Sequence, residues 1–328
     1  MPSTTVAAEA AVPRTPSWSA RLKDVGFWAE WAALVGLVVL VVVFGAANPT
    51  FLSAGNISSM LVASAILIVL SIGQTFVIAT AGIDLSVAAT MTLGAVVFGQ
   101  AYSKGWGLVA SGLAAVVAGG VVGVVNGLLV ARARITDFIV TLGTLSAAAG
   151  AALIISDGKP VTVIDPALLQ LSTGGIGIFG WTFIIAAVIA VIAHVALFRT
   201  RFGTHLLATG GSPEAATATG ISTGRVKIAV YTTAGLLAGF AAILLVGRIG
   251  AAEPAANTSF LLNSVAAVVL GGVSLFGGRA TIIGPVLGAL LLTALVNGLT
   301  LLGVSQFYQP LSVGIVVVLA AFLTRFQR

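Results

Sequence analysis

Met60-Leu-Val-Ala-Ser-Ala-Ile-Leu-Ile-Val-Leu-Ser-Ile-Gly-Gln-Thr-Phe-Val-Ile-Ala79 runs for twenty residues without a charged side chain. As a helix it would rise about 30 Å, the thickness of the hydrocarbon core of a bilayer. It leads into Thr80-Ala81-Gly82-Ile83-Asp84-Leu85-Ser86, and a second apolar run follows from Val87 to Tyr102. Further runs cover Trp31 to Ala47, Trp106 to Val130, Phe138 to Ile155, Ile176 to Phe198, Ile228 to Val246, Phe260 to Gly272, Ile282 to Leu302 and Phe307 to Phe322. The 328 residues are 59% hydrophobic and 7% charged, against roughly 25% charged in soluble domains. Lipid must therefore be the solvent for most of this chain. The sequence reads as an all-α polytopic membrane protein with about ten transmembrane segments, some short or broken. Phe260 to Gly272 is shorter than the roughly 17 residues a span needs, so it reads either as a re-entrant or broken helix or as a short tilted one, and eight or nine complete spans also fit.

Charge sets the orientation. If ten segments alternate from a cytoplasmic N-terminus, the inside receives Arg14, Arg21, Lys23, Arg132, Arg134, Arg199, Arg201, Arg225, Lys227, Arg279, Arg325 and Arg328. The outside receives only Lys104, Lys159 and Arg248. This is the positive-inside pattern, with both termini cytoplasmic, and Trp28, Trp31, Trp106 and Trp181 stand at segment ends as interfacial aromatics do. Residues 1–26 form a polar tail without the apolar stretch of a secretory signal, and 27–328 form the membrane domain. The net charge of +6 is scattered between apolar segments instead of forming the stripe that nucleic acid would require.

Enzyme chemistry finds no residues to work with. The chain has no Cys and only His194 and His205, which excludes disulfides, thiolate metal sites and a His-built metal centre. No phosphate-binding P-loop occurs, since Gly158-Lys159 is followed by Pro160, and no group of Asp or Glu could hold Mg²⁺. Two features concern packing. Gly119, Gly123 and Gly127, like Gly284 and Gly288, recur every four residues and offer flat faces for close helix approach. Val125-Asn126-Gly127-Leu128 recurs as Val296-Asn297-Gly298-Leu299, the trace either of an internal duplication or of chance in a Val/Leu/Gly-rich chain.

The longest hydrophilic loop, 199–227, falls on the cytoplasmic side. In it Ser212 is an N-cap, Pro213 suits the first helical position, Glu214 complements the helix dipole, and Gly220 stops a short helix. It reads as a helix presented to a soluble partner or as a connector on the membrane surface. Asp84 lies between two apolar segments, where a carboxylate is a functional candidate by default. It could equally cap the following helix after a break at Gly82. Gln74, Thr75, Asn126, Thr141, Thr144, Asn263 and Asn297 could line a hydrated path or bond between helices.

Several strings, in order along one chain, resemble the permease subunit of a bacterial ATP-binding-cassette importer of the ribose, xylose, arabinose and galactoside branch. They are Gly73-Gln74-Thr75-Phe76-Val77-Ile78 leading into Gly82-Ile83-Asp84-Leu85-Ser86, and Phe138-Ile139-Val140-Thr141-Leu142-Gly143-Thr144. Arg201-Phe202-Gly203, Gly210-Gly211, Glu214-Ala215-Ala216 with Gly220-Ile221, and Gly271-Gly272-Val273-Ser274-Leu275-Phe276-Gly277-Gly278-Arg279 complete them. The resemblance implies a bacterial inner-membrane permease that moves a monosaccharide or similar polar solute inward. It also implies a second permease copy or close relative, ATPase subunits that hold ATP and Mg²⁺, an extracytoplasmic solute-binding protein, and no cofactor on this chain. Glu214, Ala215, Ala216 and Gly220 would form the helix that couples to the ATPase. Two departures stand out: Asp137 occupies the position before Phe138 where Pro is expected, and no Ile-x-Leu-Pro tail follows the coupling motif. The alternative reading is an ion-coupled secondary transporter, for which Asp84 is the one candidate carboxylate.

Overall fold

The computed structural model describes residues 32–255 and 258–324. The tail assigned to 1–26, Trp28, Trp31, Arg325 and Arg328 lie outside these residues. In chain order the helices are α1 (Ala32–Ala47), α2 (Ala54–Ala79), α3 (Val87–Ser103), α4 (Gly107–Ala131), α5 (Asp137–Ser156), α6 (Pro166–Thr173) and α7 (Trp181–Arg199). They continue with α8 (Arg201–Gly211), α9 (Pro213–Ala218), α10 (Thr223–Ile249), α11 (Thr258–Leu270), α12 (Ile283–Leu301) and α13 (Gln309–Thr324). Four two-residue strands form two small antiparallel pairs, β1 (Val161–Thr162) with β4 (Ala251–Ala252) and β2 (Gly175–Ile176) with β3 (Phe179–Gly180).

Each of the ten apolar runs contains one helix. Six of these, α2, α4, α5, α7, α10 and α12, are long and apolar enough to cross a membrane, and α1, α3, α11 and α13 are apolar but shorter. Helices are the natural outcome, because lipid offers no partner for an unpaired backbone group. The stretch Met60 to Ala79 belongs to α2, which starts earlier because Ser53 caps it through the Asn56 N–H. Every residue of α2 from Ser64 to Ala79 is buried, so this helix is enclosed by other helices instead of lipid.

Some boundaries differ from the reading of the sequence. The run from Ile176 becomes helical only at Trp181, because Gly177 with φ 62° turns Gly175–Ile176 back onto Phe179–Gly180. The run Phe260 to Gly272 holds most of α11, whose 13 residues, Thr258–Leu270, rise roughly 20 Å without a break, and it leaves the helix at Gly271 and Gly272. The loop 199–227 is largely helical, since α8 fills its first half. That helix begins at a Thr200 cap and has Gly203, Leu206, Thr209 and Gly210 buried, a spacing of three and four that marks one face against the bundle.

α10 is the central partner: it packs on α2, α3 and α4. Its contact with α4 is the most extensive among the described helices and brings backbone against backbone. A Cβ on Gly119 would collide with the Gly235 carbonyl, one on Gly123 with the Tyr231 carbonyl, and one on Gly127 would lie 2.7 Å from Ile228 Cα. Gly235 and Gly239 answer from α10, where a Cβ on Gly239 would lie 2.5 Å from the Ala115 carbonyl. Gly284 and Gly288 serve the same purpose on α12, against Gly271 and Ala267. The flat faces expected from the glycine spacing therefore meet backbone.

Neighbour relations of α2 to α5 recur after five apolar helices, whereas those of α1 and α7 do not. α10 touches α3 and α4, α3 touches α4 and α5, and α4 touches α5. Correspondingly, α2 touches α11 and α12, α11 touches α12 and α13, and α12 touches α13. The connections also sort to two ends. Gly82 adjoins Asp137 and Tyr231, Gly210 adjoins Ala79 and Gly278, and Gly224 adjoins Ala131 at one end. At the other, β1 pairs with β4, Tyr102 donates to Asp165 at 3.0 Å, and Asn48 donates to the Leu301 carbonyl at 3.1 Å. The two ends gather alternate connections of the chain.

Replacing Gly123 with Leu should prevent α4 from docking on α10 and cost more than the roughly 1–3 kcal/mol of ordinary overpacking, because backbone must move. Gly143→Leu, where a Cβ meets nothing within 4 Å, should leave stability near the parent. Thermal unfolding of the detergent-solubilised variants, read by size exclusion, checks both.

Candidate functional site

The end that gathers 80–86, 131–137, 199–222 and 271–281 holds most of the candidate residues. α2 closes with Thr80 as C-cap and Ala81 in the left-handed region at φ 57°. Ala81 N–H donates to Ile78 at 2.9 Å and Gly82 N–H to Val77 at 3.1 Å, the paired bonds that satisfy the last carbonyls of a helix. The chain thus reverses at Ala81, not at Gly82 as the sequence suggested. Gly82 is required for another reason: a Cβ there would lie 2.9 Å from both Asp137 Oδ2 and the Tyr231 hydroxyl oxygen.

Asp84 follows, only 5% exposed. Its Oδ1 accepts from the Ser86 N–H at 2.8 Å and from the Ser86 hydroxyl at 2.6 Å, an Asx turn reaching two residues ahead. It is not the N-cap of α3, since Ser86 occupies that position. Asn126 Nδ2 donates to Ser86 Oγ at 2.9 Å, and Gln74 Nε2 donates to the Asp84 carbonyl at 2.7 Å. A directional chain results, from Asn126 through Ser86 to Asp84, buried between α2, α3 and α4. Asn126 Oδ1, Gln74 Oε1 and Thr90 Oγ1 are buried there without a protein partner.

Beside this chain, the Tyr231 hydroxyl lies 2.8 Å from Asp137 Oδ2 and 3.2 Å from the Ile83 carbonyl. Lys227 Nζ lies 3.8 Å from the same Asp137 oxygen. Thr141 Oγ1 donates to the Asp137 carbonyl at 2.8 Å and sits 3.3 Å from that of Ile83. The segment 80–86 therefore brings Gln74, Asp84, Asn126 and Thr141 into one neighbourhood. Ser86, Tyr231 and Lys227 belong to it but were not marked as site residues by the sequence: a tyrosine within a 27-residue helix carries no local mark of its partner 94 positions away.

The remaining candidates lie elsewhere. Thr75 and Thr144 donate within their own helices to the carbonyls of Ser71 and Val140. Asn297 exchanges two 2.9 Å bonds with Asn56, a reciprocal clasp between α12 and the start of α2 at the opposite end. Asn263 lines an open groove of about 830 Å³ between α11 and α13 that extends from Leu85 to Gln306 and Gln309. Hydrophobic side chains dominate the rest of its lining, and none of the described lining residues is charged.

On the surface of the first end, α9 forms as its sequence dictates. Ser212 Oγ accepts from the Ala215 N–H at 3.2 Å, Pro213 opens the helix, and Gly220 with φ 86° ends it. Its six residues make a rod of roughly 9 Å. Glu214, Ala215 and Gly220 are exposed, but Ala216 is buried and anchors α9 to the bundle. The corner before α9 is keyed in place: a Cβ on Gly210 would collide with the Ala79 carbonyl, and Gly278 N–H donates to that carbonyl at 3.0 Å. Three strings distant in sequence, ending at Ala79, Gly211 and Arg279, thus meet at one place.

A bundle with six helices long and apolar enough to cross a membrane, and a small helix keyed to one end, is the architecture of a polytopic membrane protein. The chain belongs to the family described as branched-chain amino acid transport system / permease component, whose sequence model matches residues 56–321. It is 38% identical to the ribose import permease protein RbsC of Bacillus subtilis (strain 168) over 92% of this chain and 94% of that one. Identity is 34% with the ribose import permease protein RbsC of Escherichia coli (strain K12), covering 90% and 93% of the two chains. It is 35% with the L-arabinose ABC transporter permease protein AraH of Azospirillum brasilense, covering 89% and 87%. No solved structure matches. The chain is a multi-pass membrane transport component and not an enzyme.

Asp84→Ala should strand the Ser86 N–H and hydroxyl and lower stability by about 1–3 kcal/mol, the usual cost of an unpaired buried group. Asp84→Asn keeps an acceptor and should lose less. Unfolding midpoints of the two variants in one detergent separate these outcomes.

Proposed function

We propose that this chain is the permease subunit of an ATP-binding-cassette importer that carries a monosaccharide, a pentose or hexose, across a bacterial inner membrane. The observation that carries this reading is its near full-length similarity to permeases named for ribose and arabinose, joined by one named for D-allose in Escherichia coli (strain K12). All three solutes are polyhydroxylated sugars without charge. A groove lined by Asn263, Gln306 and Gln309 suits such a solute, because neutral amides exchange hydrogen bonds with hydroxyls. A second permease copy or close relative, facing this groove, would close it into a pathway.

The chain crosses the membrane ten times in this reading, with both termini in the cytoplasm. The sorting of alternate connections to two ends supports that count, and the recurrence of neighbours after five helices supports an internal duplication. The end bearing α9 faces the cytoplasm, where Arg132, Arg134, Arg199, Arg201, Arg225 and Arg279 are exposed. There Glu214 and Ala215 seat in the ATPase, which holds ATP and Mg²⁺; this chain holds neither. ATP-driven closure and reopening of the docked ATPase pair then rock the helices between outward and inward access, a rigid-body switch. An extracytoplasmic binding protein delivers the sugar. Asp84 gives no support to ion coupling, since Ser86 engages its carboxylate at one end of the bundle.

Pull-down of the tagged chain from gently solubilised native membranes should recover a P-loop ATPase in near-equal amount. Recovery of the chain alone, active in ATP-free vesicles, would overturn the reading. In the assembled transporter, Glu214→Lys and Ala215→Asp should each abolish uptake at unchanged membrane levels, and wild-type uptake by either would move the coupling contact elsewhere. Uptake of labelled ribose, arabinose and allose, with leucine as the contrasting solute, tests the cargo: transport of leucine alone would replace sugar by amino acid.

A further inference from the structure

Asp137 stands where the resemblance leads one to expect proline, and a proline would start α5 equally well, since it suits the first helical position. The carboxylate is therefore not needed to begin the helix. What it does is engage α10. Its Oδ2 is 2.8 Å from the Tyr231 hydroxyl and 3.8 Å from Lys227 Nζ, two side chains one turn apart on that helix. Tyr231 has no exposed surface, and Asp137 and Lys227 are mostly shielded, with side chains 17% and 26% exposed. Shielding strengthens such charge-assisted contacts relative to water. The same tyrosine oxygen lies 3.2 Å from the Ile83 carbonyl, and Gly82 leaves the pair no clearance. α10 itself begins at Thr223, directly after the α9 helix and its Gly220 turn.

We propose that Asp137, Tyr231 and Lys227 are positioning residues that form a latch, carrying displacement of α9 and α10 to the 80–86 turn. That turn holds Asp84 and Ser86, so the latch places the Asn126-Ser86-Asp84 chain according to the position of α9. The inference rests on the reading of α9 as the ATPase contact. It assigns a polar tie to a place where the resemblance supplies only a helix start.

The chain has no cysteine, so single cysteines can carry fluorophores without background. Ala218→Cys reports on α9 and Ile83→Cys on the turn, both at exposed positions. In the complex with its co-purified ATPase, the non-hydrolysable analogue AMP-PNP should change the signal at both sites. Tyr231→Phe, Asp137→Pro and their combination should leave the response at 218 intact. At 83 they should shift the equilibrium roughly tenfold back toward the nucleotide-free signal, the weight of one hydrogen bond to a charged group. The double variant should be no worse than either single one, because both remove the same contact. Lys227→Gln, at the least shielded of the three positions, should give a smaller shift in the same direction and keeps the test available if a buried variant fails to fold. A response at 83 that survives in these variants, or that is absent in the parent while 218 responds, overturns the latch and leaves the α9 reading standing. Silence at 218 in the parent overturns the α9 reading and the latch together.

Discussion

Helices in lipid gain nothing from hiding apolar side chains from one another, because the acyl chains are as apolar as leucine. They associate where their backbones can touch, and the α4–α10 contact is the most extensive such case among the described helices. Gly119, Gly123, Gly235 and Gly239 remove the side chains that would hold the two helices apart. The rest follows from this approach. α3 and α2 pack onto the joined pair, the 80–86 turn is confined between α2 and α4, and a buried polar chain forms where three helices converge. α12 repeats the device against α11 with Gly284 and Gly288, so the same small-residue solution holds the second set of helices.

The ten helices were legible in the sequence because each is an uninterrupted apolar run, and composition alone decides that such runs are helical in a membrane. The Gly119, Gly123 and Gly127 face was legible from its period of four, but its partner was not, since spacing along one helix does not say that Gly235 and Gly239 are what it meets. The α9 helix could be read residue by residue from Ser212, Pro213 and Gly220, because capping is a local interaction. Orientation within α9 was not available: Ala215 and Ala216 are identical side chains, and only packing decides that one is exposed and the other buried.

Polar contacts across the bundle were the least legible. Asn126 and Asn297 sit in identical tetrapeptides, yet one donates to Ser86 and the other clasps Asn56. Nothing in the local string distinguishes these roles, because the partners lie 40 and 241 positions away. Asp137 drew notice only as a departure from an expected proline, and its meaning emerged from Tyr231 on a distant helix. The break after α2 shows the limit from another side. Glycine is the usual residue at a left-handed helix end, so Gly82 attracted the assignment that Ala81 fulfils.

The groove between α11 and α13 presents amides and hydrocarbon but no charged side chain. A neutral, hydroxyl-rich molecule moving along it would trade one weak hydrogen bond for another and would find no deep energy minimum in which to stall. In the proposed importer, residence in such a conduit would be brief, and how often it opened would govern the rate of passage. Discrimination between solutes would then fall to whichever component captures them before they reach the bilayer, and this subunit would be free to be permissive.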